Sequence, residues 1–174
     1  DSFMWVLVSG ANETHKTVLF HYTITRNGDH AKKLLAGWHG SLVTDAYAGY
    51  ENVEDVTHGL CWSHVRRKYI DSIPLDSSGK EIPGSKGAEA VELIDQLFYV
   101  EGLLNGLPEK EKLEKRQELS QKVLDAFWSW VEKTSALHTT NTKLTEALTY
   151  SVNQRTNLET FMHDGKIPIS NNRA

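Results

Sequence analysis

The sequence predicts an α/β or α+β domain in which a small sheet is followed by a long helical region. Two segments near the amino terminus, 3–8 and 17–24, are rich in the aromatic and β-branched residues that favour strands. Beyond residue 90, apolar residues recur at three- and four-residue spacing, as in amphipathic helices. Strands followed by a run of helices indicate an α/β core that carries a helical insertion.

The composition is that of a globular domain. Of the 174 residues, 39% are hydrophobic and 24% are charged, which is close to average usage. The formal net charge of -4 argues against binding of nucleic acid through overall charge, so any DNA contact is expected to be local. The single cysteine, Cys61, excludes an intrachain disulfide and favours a reducing, cytoplasmic compartment. No apolar run reaches the roughly 18 residues of a membrane span, so no membrane partner is expected.

The first two strands are predicted to form an antiparallel hairpin, because the polar turn 9–13 lies between them. A short helix is then predicted from Asp29, as its N-cap, to Leu35, with Gly37 ending it.

A third strand, 41–44, places Asp45 at its carboxyl end, and a fourth extended segment, 57–61, leads into a helix over 62–73. One side of that helix is predicted to be buried and consists of Trp62, Val65, Tyr69 and Ile73.

The segment 75–87 is rich in Asp, Ser, Gly, Lys and Pro and is predicted to be an exposed linker. Three amphipathic helices are predicted beyond it, over about 90–104, 108–135 and 144–162. Pro108 is expected in the first turn of the second helix.

Smaller features of this region carry their own predictions. The mixed charges of 109–118 indicate a solvated helix surface, and Trp128 and Trp130 are expected to pack in the core. Gly165 is predicted to be a C-cap, and Ser170 the N-cap of one more helix whose body lies past Ala174.

Asp45 is the first candidate for chemistry. A carboxylate at the carboxyl end of a sheet strand stands where α/β folds place active sites. By position alone, an Asp after a strand is also a common turn former or helix cap. Both interpretations stay open on this observation.

The segment 61–68 holds two further candidates. Cys61 and His64 have the spacing of half a zinc site, but no second pair of ligands exists, so a buried structural Cys is the favoured interpretation. Arg66, Arg67 and Lys68 are three consecutive cations suited to DNA phosphates, although such clusters often only solvate a helix. The sequence has no glycine-rich phosphate loop, Gly-x-Ser-x-Gly elbow or His-Glu-x-x-His helix, which argues against nucleotide hydrolysis, acyl transfer and zinc proteolysis.

Two blocks resemble the insertion-sequence-66 family of bacterial transposases. They are Leu-Val-Thr-Asp-Ala-Tyr-Ala-Gly-Tyr at 42–50 and Thr-His-Gly-Leu-Cys-Trp-Ser-His-Val-Arg-Arg-Lys-Tyr at 57–69. Further similarity lies at 4–6, 21–22, 26–31 and 164–174. The blocks follow the family order over nearly the whole chain, and the helical middle matches only loosely.

The resemblance implies a ribonuclease-H-like mixed sheet core with a large α-helical insertion. It also implies a DDE motif, an Asp, Asp and Glu trio that binds two divalent cations, Mg²⁺ or Mn²⁺, to cleave and transfer DNA strands. Asp45 corresponds to the second acid and would be the metal ligand. The first Asp is expected upstream of Asp1 and the Glu just after Ala174, so residues 1–174 alone are expected neither to cut nor to join DNA, and to bind the cations weakly.

On this interpretation, 1–74 is a partial core without its first strand, 75–164 is the insertion, and 165–174 leads into the final core helix. Cys61 and His64 would support packing and orientation near the active site. The expected partners are transposon ends and target DNA, contacted by Arg66, Arg67 and Lys68, and a homo-oligomer on DNA is compatible with this arrangement.

Two alternatives remain. The chain could derive from a transposase yet be a non-catalytic DNA- or protein-binding module, in which case the flanking Asp and Glu would be absent. Alternatively, a ribonuclease-H-like nuclease would hydrolyse DNA without joining it.

Overall fold

Within the described residues, two strands, a short helix and two further strands come first along the chain, and the longer helices follow. The computed structural model describes residues 2–10, 13–137 and 142–172. The predicted α/β class is confirmed in these ranges.

The amino-terminal hairpin is confirmed. Strands β1, Phe3–Val8, and β2, Val18–Thr23, pair antiparallel in the register Phe3↔Thr23 to Val8↔Val18. Ala11 and Asn12 of the predicted turn lie outside the described residues.

The two faces of the hairpin differ. Trp5 is buried on one face, and its indole N–H donates to Thr23 Oγ1 at 2.9 Å. The opposite face bears large exposed side chains, among them Met4, Phe20 and Tyr22. This follows from strand alternation, since Met4 is directly opposite Tyr22.

Helix α1 is Gly28–Leu34, and its N-cap is Asn27 rather than the predicted Asp29. Asn27 Oδ1 accepts the Asp29 N–H at 3.0 Å, so Asp29 lies in the first turn, where its charge suits the helix dipole. A Cβ on Gly28 would lie 2.7 Å from the Gly49 backbone, so glycine lets this helix pack against the short 3₁₀ turn that follows β3.

Strands β3, Gly40–Thr44, and β4, Val56–Leu60, pair in parallel. Among the described residues they form a sheet separate from the hairpin, so a single mixed sheet is not observed. Both pairs nevertheless contribute to one apolar cluster, because Trp5 of β1 and Leu42 of β3 both pack there.

Helix α2 is Trp62–Ile70 and ends three residues before the predicted Ile73. Trp62, Val65 and Tyr69 are fully buried, as predicted, whereas Ile73 lies in the turn beyond the helix. The helix ends early because a glycine- and proline-rich segment follows, which does not support further turns.

The helical region begins with α3, Lys86–Leu103, which Ser85 caps. A second long helix extends over the predicted range but is divided into α4, Glu109–Lys115, a π-helical turn, Arg116–Ser120, and α5, Gln121–Leu137. Pro108 is the N-cap and not a first-turn residue.

The predicted third helix is broken. It consists of α6, Lys143–Asn153, then α7, Arg155–Leu158, and a 3₁₀ turn, Thr160–Met162. The predicted C-cap role of Gly165 is wrong, because this glycine does not have a positive φ. A Cβ there would lie 2.1 Å from the Glu109 carbonyl oxygen, so Gly165 is required for close packing.

The main core surrounds α2. Trp62 contacts Phe127 and Trp128 of α5 at ring-centroid distances of 5.2 and 6.2 Å, and Tyr69 contacts Phe127 and Trp130 at 6.1 and 5.7 Å. The prediction that Trp128 and Trp130 are packing residues is confirmed. The helical region therefore packs directly on the helix that follows β4.

Candidate functional site

Asp45 lies immediately after β3, in a strained turn. Its Oδ1 accepts the Tyr47 N–H at 3.1 Å, and Thr44 Oγ1 accepts the Ala46 N–H at 3.3 Å. Ala46 has a φ of 63°, a left-handed conformation that costs a non-glycine residue about 1–2 kcal/mol. Such strain is concentrated at functional sites. The turn leaves the Asp45 side chain 34% exposed.

Arg26 lies beside this carboxylate. Its Nη2 is 3.7 Å from Asp45 Oδ2, and its guanidinium carbon is 4.1 Å from the centroid of the Tyr47 ring. The Tyr47 hydroxyl donates to the Arg26 carbonyl oxygen. Arg26 lies in the resemblance block 26–31 but was not predicted to be a site residue, because a lone Arg between a strand and a helix forms no recognisable motif.

Cys61 connects the end of β3 to the start of α2. The Cys61 N–H donates to the Thr44 carbonyl at 3.0 Å, which continues the β3–β4 pairing by one residue. The side chain is 1% exposed, so the prediction of a buried cysteine is confirmed. Its thiol contacts Ser170 Oγ at 3.5 Å, and its Sγ accepts the Asn171 N–H at 3.4 Å.

The segment 167–172, here called the carboxyl-terminal lead-in, is bound along the first turn of α2. The Trp62 N–H donates to the Ile169 carbonyl at 3.0 Å. Ser63 Oγ lies 3.0 Å from Ser170 Oγ and accepts from the Asn172 amide at 2.9 Å. Residues more than a hundred positions apart thus meet at one helix terminus.

The predicted N-cap role of Ser170 stays a prediction, although one hydrogen bond is compatible with it. Its Oγ accepts the Asn172 N–H at 3.1 Å, the bond an N-cap makes to the second helical residue. The body of the predicted helix falls outside the described residues, and so do Arg173 and Ala174 of the resemblance block.

The His64 side chain is partly buried. Its Nδ1 is buried and has no hydrogen-bond partner among the described residues. Burial lowers the pKa of the imidazole, Asp45 opposes this change, and Arg67 and Lys68 reinforce it. His64 therefore favours its neutral form despite the carboxylate nearby.

Tyr150 of α6 places part of the helical region near Asp45 and Cys61, and the sequence pattern did not predict this. Burial raises its pKa to about 12, and the charges of Asp45 and Cys61 add to the rise. Its hydroxyl is buried and unpartnered among the described residues. The Lys68 ammonium lies 4.6 Å from the Tyr150 ring centroid.

The three cations of α2 differ in their surroundings. Arg66 binds Asp95 of α3 through two hydrogen bonds of 2.6 and 3.0 Å. The Arg67 side chain is exposed and makes no hydrogen bond or ion pair within the described ranges. A shallow cavity of about 360 Å³ is lined by Arg66 and Arg67 together with Ser63 and Asn172, so it joins α2 to the carboxyl-terminal lead-in.

The described residues do not by themselves fit a two-cation site. No group of three or more His, Cys, Asp or Glu side chains within residues 2–10, 13–137 and 142–172 has metal-binding geometry. Asp45 offers one carboxylate, and paired cations need more. In the same ranges, none of the helices has the length and apolar character of a membrane span.

Comparison with known proteins supports a family assignment. The model of the family described as "Transposase IS66 family" matches residues 1–174. Three uncharacterized proteins of Sinorhizobium fredii (strain NBRC 101917 / NGR234) are similar to the chain. Protein y4hP is 30% identical over 169 residues, or 90% of this chain and 31% of y4hP. Protein y4qI is 28% identical over 89% of this chain and 30% of its own length, and y4jD is 23% identical over 87% and 30%. The chain thus spans about a third of the length of these relatives. No solved structure matches it.

Proposed function

Because the chain belongs to the IS66 family of transposases, we propose that it is part of a DDE-type catalytic domain and carries the second acid, Asp45, of the site for DNA cleavage and strand transfer. Since the chain covers 31% of the y4hP sequence, the other two acids are proposed to come from the remainder of the protein. Transposon ends and target DNA are the proposed substrates.

One observation carries this proposal, the meeting of Asp45 and the carboxyl-terminal lead-in on either side of Cys61. The Cys61 N–H binds the carbonyl of Thr44, the residue before Asp45, and the Cys61 Sγ accepts the N–H of Asn171. A Glu following Ala174 on a helix capped by Ser170 would start close to the Asp45 turn. Cys61 has the proposed role of holding these two segments together.

A ribonuclease-H-like sheet is also proposed. Within the described residues, β1 pairs only with β2, and β3 pairs only with β4, so each pair has an unpaired edge. Trp5 and Leu42 belong to one apolar cluster with Ala31 of α1, which holds both pairs beside the same helix. A strand from upstream, bearing the first acid, would bind both edges and complete a mixed sheet.

The metals belong to the complete enzyme. Mg²⁺ or Mn²⁺, held by three acids, would activate the attacking oxygen and stabilise the leaving oxygen. The contribution proposed for this chain is one carboxylate, fixed by the Tyr47 N–H and kept accessible by the strained turn at Ala46.

The test uses the full-length protein and a supercoiled plasmid that carries both ends of its element. Asp45→Asn is expected to abolish strand cleavage and joining while DNA binding, measured by mobility shift, is retained. Asp71→Asn, which alters an exposed carboxylate at the end of α2, is the control and should remain active.

Each alternative gives a different result. Cleavage without joined products would indicate a hydrolytic nuclease. Binding without any cleavage by the unaltered protein would indicate a non-catalytic module. Normal cleavage by Asp45→Asn would contradict the proposed site, and so would Asp45-dependent cleavage by residues 1–174 alone.

A further inference from the structure

Arg26 is fixed in position beside Asp45 from two directions. The Tyr47 hydroxyl donates to the Arg26 backbone carbonyl, and the Tyr47 ring lies under the guanidinium, with the Arg26 Cζ 4.1 Å from the ring centroid. Tyr47 itself packs on Trp5 and Tyr50, at ring-centroid distances of 6.1 Å in both cases. A surface arginine is therefore held by an aromatic support anchored in the core around Trp5.

Among the residues that the structure describes, the hydrogen-bond donors of this guanidinium are nevertheless unoccupied. An arginine has five N–H donors. The approach to Asp45 at 3.7 Å is an ion-pair distance and too long for a hydrogen bond, and within the described ranges the guanidinium donates to no acceptor. The side chain is 50% exposed, so a ligand can approach it from solvent.

Other arginines of the chain show the contrast. Arg116 is fully buried and donates to Glu101 and to backbone carbonyls, and Arg66 donates to both oxygens of Asp95. Those guanidinium groups donate hydrogen bonds to structural partners, whereas the Arg26 guanidinium is oriented by the Tyr47 ring and Asp45 and donates none within the described residues. An oriented guanidinium with accessible donors is suited to bidentate binding of a phosphate.

The neighbouring carboxylate explains why a cation is needed at this place. A phosphodiester that approaches Asp45 brings one negative charge towards another, and the two repel each other. A guanidinium held next to Asp45 offsets that repulsion and gives the phosphate a specific position.

We propose that Arg26 binds a phosphate of the DNA backbone beside Asp45, and that this phosphate is the one on which the proposed reaction takes place. The inference rests on the proposed function and identifies a substrate contact within that site. Tyr47 acts as the positioning residue for Arg26.

The experiment measures binding, without divalent cations, of the full-length protein to a duplex that spans the junction of the element's terminal repeat and its flanking DNA. One phosphate at a time is replaced by a neutral methylphosphonate. For the unaltered protein, replacement of the junction phosphate is expected to weaken binding about tenfold or more, as for loss of a charge-assisted hydrogen bond. Arg26→Ala is expected to bind the normal duplex about as weakly as the unaltered protein binds the duplex with the junction methylphosphonate. Replacement of the junction phosphate should then not weaken its binding further, whereas replacement of other contacted phosphates still should.

Two variants serve as controls. Lys33→Ala removes an exposed cation of α1 and should keep the sensitivity to the junction phosphate. Arg26→Lys keeps the positive charge but lacks the paired N–H donors of the guanidinium, so its affinity should lie between those of Arg26→Ala and the unaltered protein. Thermal unfolding of each variant verifies that it is folded.

The proposal is overturned if Arg26→Ala keeps full sensitivity to the junction methylphosphonate, or if it binds the normal duplex as tightly as the unaltered protein. Either result, combined with a cleavage reaction that still requires Asp45, would reject the role of Arg26 alone. Cleavage that does not require Asp45 would reject the proposed function itself.

Discussion

Arg116, whose side chain is completely buried, donates to both carboxylate oxygens of Glu101, at 3.0 and 2.5 Å. Its remaining donors bind three backbone carbonyls at 2.7–3.0 Å, those of Phe161, Asp164 and Ile167. Burial raises the pKa of Glu101, but hydrogen bonding and charge from Arg116 hold that pKa below its usual value. This pair therefore connects α3 and the π-helical turn to the segment 161–167, which runs into the carboxyl-terminal lead-in.

Arg116→Met is expected to destabilise the chain by about 3–5 kcal/mol, because it leaves the Glu101 carboxylate buried without its main partner and removes a hydrogen-bond donor from three backbone carbonyls. Urea unfolding followed by tryptophan fluorescence measures the loss. Lys115→Met is the matched control. Lys115 is the preceding residue and pairs with Glu118 on the surface, so its removal should cost less than about 1 kcal/mol. Equal losses for the two variants would show that the buried pair is not stabilising.

Gly165→Ala should weaken the same connection by a different route. The added Cβ would lie 2.1 Å from the Glu109 carbonyl oxygen, so the loop must move away from α4. We expect a loss of roughly 1–3 kcal/mol, as for other overpacked sites. Gly102→Ala near the end of α3 meets no atom within 4 Å and should instead stabilise by about 0.5–1 kcal/mol. In urea unfolding, the two variants are expected to change the free energy of unfolding in opposite directions. A Gly165→Ala variant with unchanged stability would refute the packing role.

The sequence pattern predicted most strands and helices because their apolar periodicity is local. The buried positions Trp62, Val65 and Tyr69 follow from three- and four-residue spacing alone. The position of Asp45 after β3 follows in the same way from a short β-branched segment that precedes it.

The solvent-exposed position predicted for Arg116 was wrong for a physical reason. It lies within the mixed-charge segment 109–118, which indicates a solvated helix face, and only the fold brings Glu101 and the carbonyls of the distant loop to it. The C-cap role predicted for Gly165 was wrong for the same reason, because the Glu109 backbone against which it packs lies far earlier in the chain. Partners that are distant in sequence leave no periodic signal.

His64 should make stability depend on pH. Burial lowers the pKa of its imidazole in the folded protein, Asp45 opposes the shift, and Arg67 and Lys68 add to it. The unfolded chain therefore binds a proton more readily than the folded chain. The contribution of the neutral, partly buried His64 to the free energy of unfolding is fully present above the unfolded pKa of about 6.5. It is lost as the pH falls below that value.

The urea midpoint is accordingly expected to decrease between about pH 7 and pH 5, and His64→Gln should reduce that decrease. His39→Gln, which alters an exposed histidine, is the control and should retain the pH dependence of the unaltered chain. A His64→Gln variant with the original pH profile would show that another group titrates.

The cations of α2 should contribute unequally to DNA binding. Arg67 is exposed and unpaired within the described residues, and Lys68 is exposed beside the Tyr150 ring, whereas both oxygens of Asp95 already bind Arg66. In the full-length protein, Arg67→Ala with Lys68→Ala is expected to lower affinity. The slope of log affinity against log salt should also fall, by about 1 for each phosphate that the variant no longer binds.

Arg66→Ala removes the same charge but mainly breaks the bond to Asp95, so it should lower stability and leave the salt slope nearly unchanged. Mobility-shift titrations at several salt concentrations, combined with urea unfolding, separate the two effects. If the double variant at Arg67 and Lys68 bound DNA with unchanged affinity at low salt, this face of α2 would not be a DNA contact. A reduced slope for Arg66→Ala would instead mean that Arg66 exchanges Asp95 for a phosphate when DNA binds.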